Sequence, residues 1–174
     1  MLFRSRKTAV ENAAIIICAT SSTAPLFPSS WVRTGAHVIL IGSYTPDMRE
    51  CDRELVLRAV RPPGVAKGGV EGGRILLVDS RDACAREAGE LIEAGVDFEK
   101  EVVEIGEVVE FGEGGDVVFG GGGLRGGGEV GCGGGGITMF KSVGVGLQDV
   151  AMACAVVQKA EEMGLGTRLD GYDT

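Results

Sequence analysis

Four short apolar runs occur along the chain, and each ends in small or polar residues. They lie at residues 13–20, 37–42, 74–80 and 137–142. The first run, AAIIICAT, is apolar almost throughout, which is typical of a strand buried on both faces of a parallel sheet. All four runs are far shorter than the roughly 20 apolar residues of a membrane span. We therefore predict four buried strands.

Helical patterns separate these runs. Residues 81–94 are helix formers, with Ser80 placed to cap the start of the helix and Gly95 to end it. Residues 47–60 predict a second helix, and residues 101–110 fit either a short helix or a loop. Strands that alternate with helices predict an α/β fold, in which a mostly parallel sheet carries helices on both faces.

A further helix is predicted at residues 147–163, where Val150, Cys154 and Val157 form one apolar stripe. We therefore expect Cys154 to lie in the core, as we do Cys18 in the first strand. The five cysteines are odd in number and include no C-x-x-C pair. This usage favours reduced thiols and a cytoplasmic location.

The segment 112–136 breaks the pattern, because it holds half of the 30 glycines. It has few side chains to bury and much backbone entropy to lose, so we predict a disordered surface insertion. The alternative is a loop that cradles phosphate. That alternative is disfavoured because the segment contains neither a G-x-G-x-x-G turn between a strand and a helix nor a G-K-[ST] ending.

Net charge narrows the class of partner. The formal net charge is −8, which argues against nucleic acid or an anionic membrane surface, since both attract clustered Lys and Arg. His37 is the only histidine, and no spacing of metal ligands occurs, so no metal site is predicted.

Three of the predicted strands end in residues that are small, polar and uncharged. These are Thr20, Gly42 and Ser142. Adjacent parallel strands would place these ends along one edge of the sheet, where α/β proteins bind ligands. A cofactor site is one interpretation. Ordinary loops and turns are the other, because small polar residues are common at strand ends.

Longer motifs carry a resemblance to a known family. The stretches CATSSTAPLFPSSWVRTGAHVILIGSYTPDMREC, VDSRDACAREAGEL, IGEVVE and TMFKSVGVGLQDVAMACAVVQKAEEMGLG follow one another at family intervals. From about residue 9 to 167, apart from the glycine-rich segment, the chain resembles the ornithine cyclodeaminase/mu-crystallin family. The resemblance implies a doubly wound, Rossmann-like domain that binds NAD or NADP. It also implies a second domain for substrate binding and for homodimer formation.

The family's glycine-rich phosphate turn precedes the strand at 13–20, and its substrate domain precedes that turn. Neither is found in this sequence. The chain is therefore expected to be a truncated, partial Rossmann-like domain over residues 1–174, inactive by itself, without the amino-terminal substrate and dimerisation domain. An exposed sheet edge and self-association are expected to follow.

The resemblance also implies roles for individual residues. Tyr44 would face the substrate, at the position where the cyclodeaminases carry an acid/base aspartate. The remaining residues would contact the cofactor: Ala19 and Thr20 at the nicotinamide ribose, Ile41 and Gly42 behind the nicotinamide, and Ser142 at the carboxamide. A tyrosine with its ordinary pKa near 10 is a poor base at neutral pH. Tyr44 therefore favours imine reduction over ornithine cyclisation, unless it is only a wall of the pocket.

The resulting expectation is an NAD(P)-dependent oxidoreductase of the ketimine reductase type that acts on cyclic imines or amino acids. One alternative is a non-catalytic remnant of the crystallin type that binds a cofactor or another small molecule. The other is a true ornithine cyclodeaminase. Asp47, Arg49 and Glu50 match the family motif and are expected to be structural, at the start and on the solvated face of a helix.

Overall fold

The computed structural model describes residues 5–60, 76–111, 117–119 and 136–167. Its seven strands are β1 Ile15–Cys18, β2 His37–Leu40, β3 Leu76–Val78, β4 Val103–Glu104, β5 Val109–Phe111, β6 Val117–Phe119 and β7 Thr138–Lys141. Five of them form a sheet in the order β1-β2-β7-β3-β4, and every neighbouring pair is parallel. The predicted α/β class with a parallel, Rossmann-like sheet is confirmed.

The helices among the described residues are α1 Arg6–Asn12, α2 Arg53–Val60, α3 Arg81–Glu87, α4 Gly89–Ala94 and α5 Gly146–Met163. Single turns of 3-10 helix lie at Ser29–Trp31 and Ile105–Glu107. Helix α1 was not predicted; it is two turns long and begins where the Ser5 side chain accepts a hydrogen bond from the backbone N–H of Thr8. None of the described helices is both long and apolar enough to cross a membrane.

The predicted helix at 81–94 is interrupted. It splits into α3 and α4 at Ala88, whose ψ of 88° is not helical. A Cβ built on the next residue, Gly89, would lie only 2.1 Å from the backbone oxygen of Met48, so a neighbouring loop presses on the chain here. Both predicted caps are confirmed: Ser80 accepts a hydrogen bond from the N–H of Ala83, and Gly95 ends α4 at a φ of 67°.

Two other predicted segments are wrong in part. The helix expected at 47–60 begins only at Arg53, where Asp52 accepts a hydrogen bond from the N–H of Leu55 at 2.9 Å, and turns precede it. The residues that follow its predicted end at residue 60 lie outside the described residues. The segment 101–110 is neither one helix nor one loop, since it contains β4, a 3-10 turn and the start of β5.

Burial in β1 alternates. Ile16 and Cys18 are buried, as predicted for Cys18, whereas Ile15 is 61% exposed and Ile17 is 63% exposed. The expectation that this strand is buried on both faces is therefore wrong for the described residues. The apolar core lies on the other face and includes Val38, Leu40, Leu55, Val56, Leu76, Leu91, Ile137 and Met139.

The chain divides into two compact units, residues 1–143 and 144–174. The described part of the second unit consists mainly of α5. A single helix has no interior, so Cys154 and the stripe that contains Val150 and Val157 are exposed. The prediction that Cys154 is a core residue is wrong.

Part of the glycine-rich segment is described. Residues Val117–Phe119 form β6, which pairs antiparallel with β5 in a separate two-stranded sheet. Residues 112–116 and 120–135 lie outside the described residues, so the predicted insertion stays a prediction there.

Candidate functional site

The carboxyl ends of four strands meet at one edge of the sheet. Cys18 pairs with Leu40, Leu40 with Lys141, and Lys141 with Val78. The residues that follow these pairs continue the contact, since the N–H of Ser142 donates to the oxygen of Leu40 at 3.0 Å. The structure therefore brings the ends that carry Thr20, Gly42 and Ser142 to one edge, as the sequence predicts. Their roles toward a ligand stay a prediction.

The ends of β1 and β2 approach each other at backbone distance. A Cβ built on Gly42 would lie 2.1 Å from the backbone oxygen of Thr20 and 2.2 Å from its nitrogen. Real Cβ atoms essentially never come within 3.0 Å of such atoms. Glycine is therefore required at position 42 for the two strand ends to keep this spacing.

A buried carboxylate joins the same two strand ends. Glu50 is completely buried; its Oε1 accepts hydrogen bonds from the backbone N–H of Thr20 at 2.6 Å and from the Thr20 hydroxyl at 2.8 Å. Its Oε2 accepts from the N–H of Gly42 at 2.8 Å. N–H groups beyond the end of a strand need an acceptor, and a carboxylate offers two oxygens. The expectation that Glu50 lies on a solvated helix face is wrong.

A second buried contact joins β2 to β7. The Lys141 ammonium donates a hydrogen bond to the backbone oxygen of Ser43 at 2.5 Å and lies 3.2 Å from Oε1 of Glu90. The side chains of Lys141 and Glu90 are fully buried. This pair was not predicted. Lys141 lies two residues after the apolar Met139, on the same face of the strand, which was an available signal.

Asp79 joins β3 to β7. Its Oδ2 accepts hydrogen bonds from the Ser142 hydroxyl at 2.6 Å and from the N–H of Val143 at 3.0 Å. Because the hydroxyl donates its proton to Asp79, Ser142 can act toward a ligand only as an acceptor. Glu50, Lys141 and Asp79 thus connect β1 to β2, β2 to β7 and β7 to β3, in the order of the sheet.

The predicted substrate-facing residue lies on the turn that follows β2. Tyr44 is 55% exposed, and Ile41 before it is 45% exposed. The turn is closed by the hydroxyl of Ser43, which donates to the oxygen of Met48 at 3.0 Å. Ala19 and Thr20 are also exposed. Exposed residues thus lie above buried connections at this edge.

Residues 2–164 match the model of the ornithine cyclodeaminase/mu-crystallin family. The chain belongs to this family. The matched residues include all five strands of the parallel sheet.

Two curated relatives and one solved structure illustrate the similarity. The mouse ketimine reductase mu-crystallin is 32% identical over 149 residues, which are 86% of this chain and 36% of the mouse protein. A Delta(1)-pyrroline-2-carboxylate reductase of Colwellia psychrerythraea is 33% identical over 150 residues, 86% of this chain and 39% of that protein.

The solved structure is that of Thermococcus litoralis Delta(1)-pyrroline-2-carboxylate reductase in complex with NADH and L-proline. It superposes with a TM-score of 0.63 at 27% identity, over 96% of this chain and 44% of that one. The chain thus spans less than half the length of the family members it matches.

Thiol chemistry at the edge is disfavoured in this family member. Burial, followed by the charge of Glu50, raises the pKa of Cys18 to about 12. Burial, followed by the charge of Asp79, raises the pKa of Cys84 to about 12. These thiols stay protonated at neutral pH and are poor nucleophiles. Among the described residues, no group of three or more His, Cys, Asp or Glu side chains is arranged to hold a metal ion.

Proposed function

We propose that this chain supplies the nicotinamide side of an NAD(P) site in an imine-reducing oxidoreductase of the ketimine reductase type. The observation that carries the proposal is the edge formed by Thr20, Gly42 and Ser142, whose strand ends are tied together by buried side chains. The names of the relatives, and the NADH complex of one of them, support it.

The residues at the edge fit a flat, uncharged ring with an amide substituent. The exposed part of Ile41 offers an apolar surface against which a ring could lie, next to Gly42. The Ser142 hydroxyl, as an acceptor, suits the N–H₂ group of a carboxamide. Ala19 and Thr20 are exposed just beyond the end of the neighbouring strand β1, where the adjoining ribose would lie. A nicotinamide cofactor bound there would supply hydride transfer.

Tyr44 is proposed to face the substrate. Reduction of an imine places a hydride on carbon and requires a proton on nitrogen, and an exposed phenol can donate a hydrogen bond to that nitrogen. Ornithine cyclisation is disfavoured, because the resemblance places an acid/base aspartate at this position in the cyclodeaminases. The whole protein is proposed to bind a cyclic imine or amino acid, to be cytoplasmic and, like its family, to form a homodimer.

A second candidate function is cofactor binding without catalysis. It is favoured by the length of the match, because the chain spans only 36–44% of the three relatives described above, and the resemblance implies that the groups that bind a substrate carboxylate belong to a separate domain. The two candidates share the cofactor site and differ in turnover.

The test is a titration of the whole chain with NADH and with NADPH, read by nicotinamide fluorescence and by the shift in Tm. We expect saturable binding that is lost in Gly42→Trp and kept in Gly106→Trp. Gly106 is the matched control, because a Cβ there would meet no atom of the described residues within 4 Å. A cooperative melt that neither nucleotide shifts would contradict the proposal. Turnover of a cyclic imine then separates the reductase from the binding protein.

A further inference from the structure

The turn that carries Tyr44, residues 43–49, rests on helix α4. A Cβ on Gly89 would lie 2.1 Å from the oxygen of Met48 and 2.5 Å from that of Pro46, so the turn touches the helix backbone. Arg49 forms an ion pair with Glu93 of the same helix at 2.6 Å. These two contacts lie at the far end of the turn from Tyr44.

The near end of the turn is held by a different contact. Lys141 donates a hydrogen bond to the backbone oxygen of Ser43, which belongs to the peptide group that joins Ser43 to Tyr44. The ammonium also lies 3.2 Å from Glu90 on α4. A charged, buried donor thereby fixes the orientation of the peptide group between Ser43 and Tyr44.

Stability alone does not explain why this donor is a lysine paired with a glutamate. Both side chains are fully buried, and neither carboxylate oxygen of Glu90 has a hydrogen-bond partner among the described residues, so the contact with the Lys141 ammonium compensates its charge. Two apolar side chains of similar volume would fill the same space without desolvating two charges. They would offer no donor to the oxygen of Ser43.

We propose that Glu90 and Lys141 are positioning residues for Tyr44. Glu90 holds the ammonium in place, the ammonium orients the Ser43–Tyr44 peptide group, and the phenol is thereby presented at the edge where β1, β2 and β7 end. The consequence for catalysis rests on the proposed function of that edge. The ordering of residues 43–49 by this contact does not depend on the proposed function.

The test compares three variants with the unmodified chain. Lys141→Met leaves the Glu90 carboxylate buried without its counter-charge, and Glu90→Met leaves the Lys141 ammonium buried without its counter-charge. Both variants are expected to lower the Tm. The double variant removes both charges and is expected to regain most of that loss. Hydrogen exchange, read by mass spectrometry on peptides that cover residues 43–49, then reports the order of the turn.

In the double variant we expect exchange over residues 43–49 to be faster by roughly tenfold or more, as the loss of a hydrogen bond to a charged group predicts. Exchange in peptides from β3 and α3 should be unchanged, and NADH should bind several-fold more weakly. The matched control is Lys7→Met with Glu11→Met, which removes an exposed pair in α1 and should leave the turn as it was.

Native exchange over residues 43–49 in a folded double variant would overturn the proposal. So would a double variant that does not fold, because the pair would then serve the core itself. If the unmodified chain binds no NADH, the proposed function fails, while the exchange measurement still decides the positioning role.

Discussion

The carboxyl edge of the sheet and the open face of β1 reverse the usual distribution of polar and apolar groups. At the edge, charged side chains such as Glu50 and Lys141 are completely buried. On the open face, Ile15 and Ile17 are more than half exposed. The difference shows that a charged side chain can be buried in this fold where neighbouring strand ends supply its hydrogen-bond partners, as they do for Glu50 and Lys141.

The largest effect is expected from Glu50→Ala. It leaves the N–H groups of Thr20 and Gly42, together with the Thr20 hydroxyl, without their acceptor. Each such loss costs about 1–3 kcal/mol, so we expect a loss of about 3 kcal/mol or more in the free energy of unfolding. Urea denaturation measures it. The control is Glu93→Ala, which removes an exposed ion pair and should cost less than about 1 kcal/mol. Equal losses of stability in the two variants would mean that the buried carboxylate contributes no more than an exposed ion pair.

The next largest difference in stability is expected between truncating a buried side chain of β1 and truncating its exposed neighbour. Ile16→Ala removes a core side chain and should cost about 2–4 kcal/mol, whereas Ile17→Ala should change the free energy of unfolding by about 0.5 kcal/mol. Thermal or urea unfolding of the two variants checks this directly. A large cost at Ile17 would mean that the open face is covered in solution.

Gly42→Ala should destabilise the edge by about 1–3 kcal/mol, because its Cβ would push against the backbone of Thr20. Gly106→Ala is the matched substitution, since no atom in the described part of the chain lies within 4 Å of that Cβ. The difference between the urea midpoints of the two variants reports how strongly the ends of β1 and β2 resist separation. Similar midpoints would mean that the strand ends separate easily.

The smallest effect is expected from pH, on the open face. Burial lowers the pKa of His37, whose Nδ1 lies 2.6 Å from the Thr138 hydroxyl. The unfolded chain then binds a proton more readily than the folded one, so stability is retained above about pH 6.5 and falls as the pH drops through the folded pKa. His37→Gln should flatten urea midpoints measured between about pH 7 and 5. An unchanged slope would exclude His37 as the titrating group.

The apolar runs located β1, β2, β3 and β7, because a buried strand needs several consecutive apolar residues. Strand β4 was missed because it is only two residues long. Helix α2 begins later than its helix-forming residues indicate, because Glu50 turns inward to the strand ends instead of outward to solvent.

For the site, parallel topology made the strand ends predictable, and the family resemblance suggested which residues lie there. The ties between them were not predictable. Glu50 bonds to Thr20 across 30 positions, and Lys141 bonds to Ser43 across 98. The burial of a charge depends on partners that distant, and no local pattern in the sequence reports them.

The most direct test of the central claim is an amide NMR titration of the whole chain with NADH. We expect the amide signals of Thr20, Gly42 and Val143 to shift together and to saturate at one Kd, because their N–H groups donate hydrogen bonds to the buried carboxylates Glu50 and Asp79 at the edge. The amide of Gly35, at the opposite end of the sheet, should not shift. Shifts absent from the carboxyl edge, or confined to the opposite end, would contradict the account.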